Sequence, residues 1–276
     1  MADYHLIVHR KPDVRDSSLV VGWSEDAGRL GKNTAGYLVE KLGGFELAEI
    51  DLPEFFPLGG VSVQDDVAVF PEGKFYCCQD RNLVVFLSSP PRAEWFRYLN
   101  SILDVAQYYC DAKRLYTVGG MVSFGAHTAP RELAFVVNCR EMREEVDGLR
   151  EGGGITYESP PGQRPTLSSY LLWAAKRRNI PGASLWVPVP FYLAGTDDPW
   201  ATKKLVVFFD DRLGLGVDLA DLDDAIGREG DRISQFRMCF PEIDHFIQKL
   251  ESNLALSQEE SETLVREMEG FLKKRA

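Results

Sequence analysis

With 276 residues, 45% of them hydrophobic, the chain can bury a sizeable core and is longer than one typical domain. A net charge of -11 argues against nucleic acid or an anionic membrane surface as a partner. Five cysteines (Cys77, Cys78, Cys110, Cys139 and Cys239) include no C-x-x-C pair and sit mostly in apolar runs, so reduced core thiols are expected rather than disulfides or zinc. The opening MADYHLIVHRKPD lacks an apolar leader segment, and no stretch reaches the ~18 uncharged apolar residues of a membrane span. A cytoplasmic location in a reducing cell is the expectation.

Residues 4–9, YHLIVH, read as a first strand. Residues 18–50 then give strand, loop, helix and strand. Leu19, Val20 and Val21 form a short apolar run, and Gly22 and Gly28 bracket a loop holding Trp23, Glu25 and Asp26. From about Ala27 the period is helical, with Leu30, Thr34, Tyr37, Leu38, Lys41 and Leu42 on one face. Gly43-Gly44 is a left-handed stop, and Phe45, Leu47 and Ile50 belong to the next strand. Such a βαβ opening predicts a parallel or mixed sheet with helices on its faces.

The stretch 53–60 is too rich in Pro and Gly for regular structure; its Phe55 and Phe56 are either core anchors or part of a contact surface. Residues 61–63, 67–70, 75–78 and 83–87 read as β. The second and third, joined by Pro71-Glu-Gly73, predict a hairpin at the sheet edge. The solid apolar run 83–87 suits a central strand covered on both faces. As strand neighbours, Cys77 and Cys78 should point to opposite faces.

A helix is predicted over about 93–111. Residues 115–118 are the next strand, stopped by Gly119-Gly120 and followed by an irregular loop over 121–130. A strand at 133–137, a short helix at 140–150 and a turn at Gly152–Gly154 come next. Pro160–Pro165 leads into a helix carrying Leu167, Tyr170, Leu171, Ala174 and Ala175 on one face, ended by Pro181-Gly182. Ala183–Val187 is a strand closed by Pro188-Val-Pro190. Asp197-Asp198-Pro199 opens a helix that runs to about Arg212 and ends at Gly214. From Asp218 strand signals vanish and charge rises. Ile243, Phe246, Ile247, Leu250 and Leu254 form one stripe. A capping box at Ser257–Glu260 then introduces a second stripe of Leu264, Val265, Met268, Phe271 and Leu272. Together they predict a helical hairpin.

GWSEDAG with Gly31, YLVEKLGG, FELAEID, LVVFLSSPPR, GGMVSFGAHTAPR and SLWVPVPFYLA together resemble the proteasome assembly chaperone family of the second type, in its bacterial and archaeal branch. The resemblance spans about residues 5–215. It implies a three-layer αβα domain of the phosphorylase/hydrolase-like kind with a mixed sheet, homo-oligomerisation as a dimer or trimer, and binding to other protein subunits. Relatives often dock through a C-terminal hydrophobic-Tyr-any tail. This chain has Lys274 and Arg275 at those positions, which departs from that pattern.

The loop GWSEDAGRLGKNT fails the phosphate-loop pattern, because Asp26 stands where the first Gly belongs and Asn33 where Ser or Thr belongs. Asp26 reads as a helix cap, and Trp23 as a packing or interface residue. Ligands of open α/β sheets bind beyond the carboxyl ends of the strands. A site there would draw on Trp23, Asp26, Ser88, Ser89, Arg92, Ser123, His127, Thr128 and Arg131. His127 is the natural general base among them, against its bland reading as a hydrogen-bonded structural residue. No G-x-S-x-G elbow surrounds any Ser. His5, His9 and His245 show no metal-like spacing, so no metal and no cofactor is expected. Phe191 and Tyr192, like Phe55 and Phe56, are candidates for a subunit interface or for the core.

The expected organisation is an α/β domain over 1–217 and a helical segment over 218–276. The favoured function is a non-enzymatic interaction or assembly protein. The alternative is an enzyme or binding protein for a nucleoside, nucleotide or phosphorylated metabolite at the strand ends.

Overall fold

The computed structural model describes residues 6–50, 54–56, 61–64, 66–147 and 166–273. Its elements are β1 (Leu6–Val8), β2 (Ser17–Trp23), α1 (Leu30–Lys41), β3 (Phe45–Ile50), β4 (Ser62–Gln64), β5 (Val67–Val69), β6 (Gly73–Cys78), β7 (Leu83–Ser88), α2 (Trp95–Tyr108), β8 (Ala112–Ser123) and β9 (Ala134–Val137). They continue with α3 (Arg140–Asp147), α4 (Leu167–Arg177), β10 (Gly182–Pro190), α5 (Pro199–Leu213), α6 (Ala220–Cys239), α7 (Pro241–Glu251) and α8 (Gln258–Lys273).

Eight strands form one mixed sheet in the order β1-β3-β6-β7-β2-β8-β10-β9, with β7, β2, β8 and β10 parallel. Helices cover both faces, as the βαβ opening predicts, and the result is a three-layer α/β fold. Strand periodicity sorts the core into its two halves. Leu19, Val21 and Trp23 of β2 join Phe75, Cys77 and Phe86 on the α2/α4 face. Val20 joins Cys78, Val85 and Tyr116 on the face of α1 and α5. Cys77 and Cys78 are thus split between the two faces, both buried. The C-terminal helices add Leu222, Ile233, Phe236, Ile247, Leu264 and Met268 to the α1/α5 side.

Local signals hold where caps fix them. Asp198 caps α5 by accepting from Ala201 N–H, Pro199 takes the first turn, and Gly214 ends the helix in the left-handed region. The capping box before α8 is present, with Glu260 N–H donating to Ser257 Oγ and Ser257 N–H to the Glu260 carboxylate.

Four expectations are corrected. β5 pairs with β4, not with β6, because Asp66 takes a left-handed turn between β4 and β5. β6 lies inside the sheet between β3 and β7, and its near-continuous burial marks it as interior. β8 does not stop at Gly119-Gly120 but runs on to Ser123. Likewise β10 runs through Pro188 and Pro190, since β9 ends opposite Trp186 and leaves that edge of β10 without a ladder partner where the prolines sit. In the C-terminal part, α6 precedes the expected hairpin of α7 and α8. Residues 4–5, 57–60, Gly152–Gly154, Pro160–Pro165 and 274–276, on which other expectations fall, lie outside the described residues.

Candidate functional site

The loop after β2 fills the space beyond the carboxyl ends of the parallel strands. Ser24 N–H donates to the Ser88 carbonyl at the end of β7, and Gly28 N–H to the Ala194 carbonyl after β10, both at 2.9 Å. Between these ties, one Asp26 carboxylate oxygen accepts from Gly120 N–H at 2.7 Å and from Gly31 N–H at 3.0 Å. Asp26 therefore caps the first turn of α1 and clamps β8 at once. Its other oxygen is buried without a partner. Burial pushes the carboxyl up from 3.8 to about 6, against the opposing pull of the Gly120 and Gly31 N–H groups. The loop sits so close that a Cβ on Gly120 would lie 1.8 Å from the Ala27 carbonyl oxygen. That contact, not a strand end, is why glycine stands there.

This wedge separates the candidate residues. On the β7 side, Ser88 is buried, and its hydroxyl shares a 2.6 Å hydrogen bond with Tyr98 and donates to the Ser89 carbonyl. Ser89 and Arg92 line a cleft of about 600 Å³ with Arg29, Lys32 and Lys74, opposed by Glu25 and Glu72. Trp23 is buried against Phe86, and its indole N–H donates to Ser168 Oγ at 3.2 Å. Ser123 Oγ accepts from Gly125 N–H within its own turn.

On the β10 side, the Tyr192 hydroxyl accepts from His127 N–H at 2.7 Å and lies 2.8 Å from His127 Nδ1. The Tyr192 hydroxyl thus engages both the backbone and one ring nitrogen of His127. Burial, helped by the Arg237 charge, lowers His127 from 6.5 to about 4. It is a neutral imidazole at pH 7, held in the loop by Tyr192. Thr128 donates to Glu251 at 3.1 Å. Arg131 is buried, pairs with the fully buried Asp198 and stacks 4.4 Å over Trp200. His127, Thr128 and Arg131 thus sit together, apart from Ser88 and Ser89, and each fastens the 124–133 loop to a neighbouring helix or turn.

Sequence reasoning did not single out Asp198 as the partner of Arg131, nor the cleft of about 520 Å³ where Glu229 faces Arg29, Arg228 and Arg232. Burial raises the Glu229 carboxyl to about 8. The proposed contact residues also divide. Phe55 and Tyr192 are buried within the chain, Phe55 with its ring 4.8 Å from Tyr98, whereas Phe56 and Phe191 are half-buried. Phe191 packs 5.8 Å from Phe124, which is 78% exposed.

Exposed apolar side chains also cluster elsewhere. β4 and β5 form a separate two-stranded ribbon with Val61, Val63, Val67, Val69 and Phe70 all exposed, Val63 at 70%. Opposite registers put Val63 on one face and Val67 and Val69 on the other. Val61 and Phe70 overhang a groove of about 420 Å³ shared with Ile7, Ile50 and Phe56. Ser62–Gln64 and Val67–Val69 form β structure, as the valines of 61–63 and 67–70 predict, but among the described residues neither face of the ribbon is covered.

Comparison with known proteins gives a consistent picture. The sequence model of the PAC2 family matches residues 19–233. Pyrococcus furiosus PbaB, described as an archaeal proteasome activator, superposes with a TM-score of 0.70 at 22% identity, covering 85% of this chain and 99% of that one. A proteasome-assembly chaperone homologue from Mycobacterium tuberculosis gives 0.66 at 19% identity, covering 79% and 94%. Pyrococcus furiosus PbaA, an archaeal homolog of proteasome-assembly chaperone, gives 0.66 at 18%, covering 91% and 98%. These likenesses establish the shared fold. No curated protein matches the sequence.

Proposed function

Since the chain belongs to the PAC2 family, we propose that it is a non-enzymatic protein-interaction factor that acts as a homo-oligomer and binds other protein subunits during assembly. The observation that carries this reading is the β4–β5 ribbon. An isolated two-stranded ribbon is marginal in water, and this one exposes apolar side chains on both faces. Exposed apolar patches of this kind mark interaction surfaces. A second copy of the chain is the first occupant, and the likeness to an archaeal proteasome activator and to proteasome-assembly chaperone homologues suggests proteasome subunits as the further partners. The strand-end groups support the same reading, because the loop carrying Asp26 fills their space and Tyr192 occupies His127.

The test is solution mass at micromolar concentration by light scattering. The wild type should be an oligomer, and Val63→Asp with Phe70→Asp should yield a folded monomer. A monomeric wild type, or an oligomer indifferent to both changes, refutes self-association through the ribbon. One observation favours the alternative: the cleft beside Ser89 sets four cations against two carboxylates, which suits a phosphorylated ligand. A thermal shift with nucleotides or sugar phosphates that is lost on Arg92→Ala would move the reading there.

A further inference from the structure

Three metal-type donors converge at the sheet edge, far from any spacing visible in the sequence. His9 follows β1 and continues its ladder, donating from its N–H to the Leu47 carbonyl at 2.9 Å. Glu46 and Glu49 both belong to β3. In a regular strand, residues three apart point to opposite faces. Here the pairing of β3 with β6 shifts between Glu46 and Ala48. That bulge inserts one extra residue and turns Glu46 and Glu49 to the same side. His9 Nε2 lies 3.1 Å from a Glu46 carboxylate oxygen and 3.8 Å from a Glu49 oxygen. All three donor atoms fall within 4.8 Å of one another.

A tetrahedral ion bound at ~2.0–2.2 Å by nitrogen and oxygen holds its ligands about 3.4 Å apart. The two His9 separations straddle that value and need shifts of a few tenths of an ångström, and the two carboxylate oxygens, within 4.8 Å of each other, must close toward it as well. The side chains of His9, Glu46 and Glu49 are 38%, 37% and 33% exposed, which leaves a path from solvent and room for water in the remaining position. The resident cation is Lys74, whose ammonium lies 3.7 Å from the second Glu46 oxygen and also reaches Glu72. It does not take the oxygens that face His9.

We propose that His9, Glu46 and Glu49 bind a divalent transition-metal ion of the zinc class and so fasten β1 to β3. One imidazole with two carboxylates suits Zn²⁺, Co²⁺ or Ni²⁺. Mg²⁺ and Ca²⁺ prefer shells of oxygen alone. A tie at this place has a structural use. β1 is three residues long, lies at the sheet edge and pairs with β3 alone.

The test titrates Zn²⁺ into the chelator-treated full chain by calorimetry, with metal content counted after gel filtration. One equivalent should bind, and the melting temperature should rise with Zn²⁺ but not with Mg²⁺. His9→Ala should abolish both effects, and Glu49→Gln should weaken binding at least about tenfold. Lys74→Ala removes the ammonium that competes for Glu46 and should bind Zn²⁺ as tightly as the wild type or tighter. These positions are surface-accessible, and far-UV circular dichroism confirms that each variant is folded. Substoichiometric uptake by the wild type overturns the site. So does a full equivalent retained by His9→Ala, which would place the ion on thiols such as the exposed Cys239.

Discussion

Asp26→Asn isolates the energetic cost of the strand-end clamp. The Asp26 carboxyl titrates near 6 in the fold against 3.8 ordinarily, a rise caused by burial. The folded state therefore prefers the protonated acid. The resulting stability is fully present below 3.8 and is lost as pH climbs through 6. A rise of 2.2 units (6 minus 3.8) corresponds to about 3 kcal/mol, of which roughly 2–3 kcal/mol falls between pH ~4 and ~7. Asn keeps one oxygen to accept from Gly31 and Gly120 and carries no charge. Urea unfolding of both proteins across that window cancels every other titrating group. The wild type should lose about 2–3 kcal/mol relative to Asp26→Asn as pH rises. A difference that stays flat, or that grows in favour of the wild type, refutes the claim that the carboxylate is held against a desolvation penalty.

Tyr192→Phe leaves the His127 amide and Nδ1 without their partner, and should cost about 1–3 kcal/mol in chemical denaturation. In the same region, His127 titrates near 4 instead of 6.5, so its contribution is present above 6.5 and is lost as pH falls toward 4. Imidazole proton shifts followed by NMR in wild type should show that late protonation. Arg131→Met strands the buried Asp198 carboxylate and should cost roughly 3–5 kcal/mol, read as a fall in melting temperature. Gly36 lies within α1, and a Cβ there meets nothing within 4 Å. Gly36→Ala should therefore stabilise by about 0.5–1 kcal/mol, whereas Gly120→Ala, placing its Cβ 1.8 Å from the Ala27 oxygen, should abolish soluble expression.

The parts of this fold that could be read from sequence are those that local chemistry decides. Asp198 and Pro199 start α5, Gly214 ends it, and Ser257 with Glu260 starts α8, all through neighbours within a few residues. Cys77 and Cys78 separate by simple alternation. What could not be read depends on chain that arrives from elsewhere. Gly119-Gly120 has the look of a stop, but its need for glycine comes from Ala27, some ninety residues earlier. The partner of β5 turns on Asp66 adopting a left-handed conformation that its residue type only modestly favours. Ser88 and Ser123 end their strands, but the division of the candidate residues by the Asp26 loop is a tertiary fact. So is the pairing of Tyr192 with His127. The bulge in β3 likewise brings together Glu46, Glu49 and His9, which sequence spacing keeps apart.

The wedge fills the strand ends over β8, whereas the cleft beside Ser89 stays open at the end of β7. An open crevice would leave Gly120 room for a side chain and bathe Asp26 in water, with its carboxyl near the ordinary value. Instead the Ala27 carbonyl occupies that room, and the Asp26 carboxyl is raised by burial. The two findings have one cause: the loop that carries a ligand in many α/β proteins here packs against its own strands. Exposed apolar side chains stand on the β4–β5 ribbon at Val63, Val67 and Phe70. A second copy of the chain on the Val63 face of that ribbon would bury apolar side chains without disturbing the Asp26 loop. If the ribbon is the working surface, substitutions at Asp26 should change stability and leave oligomer mass unchanged. Substitutions at Val63 and Phe70 should do the reverse. Val63, which does not line the cleft beside Ser89, is the variant that separates an interaction arm from a ligand site there.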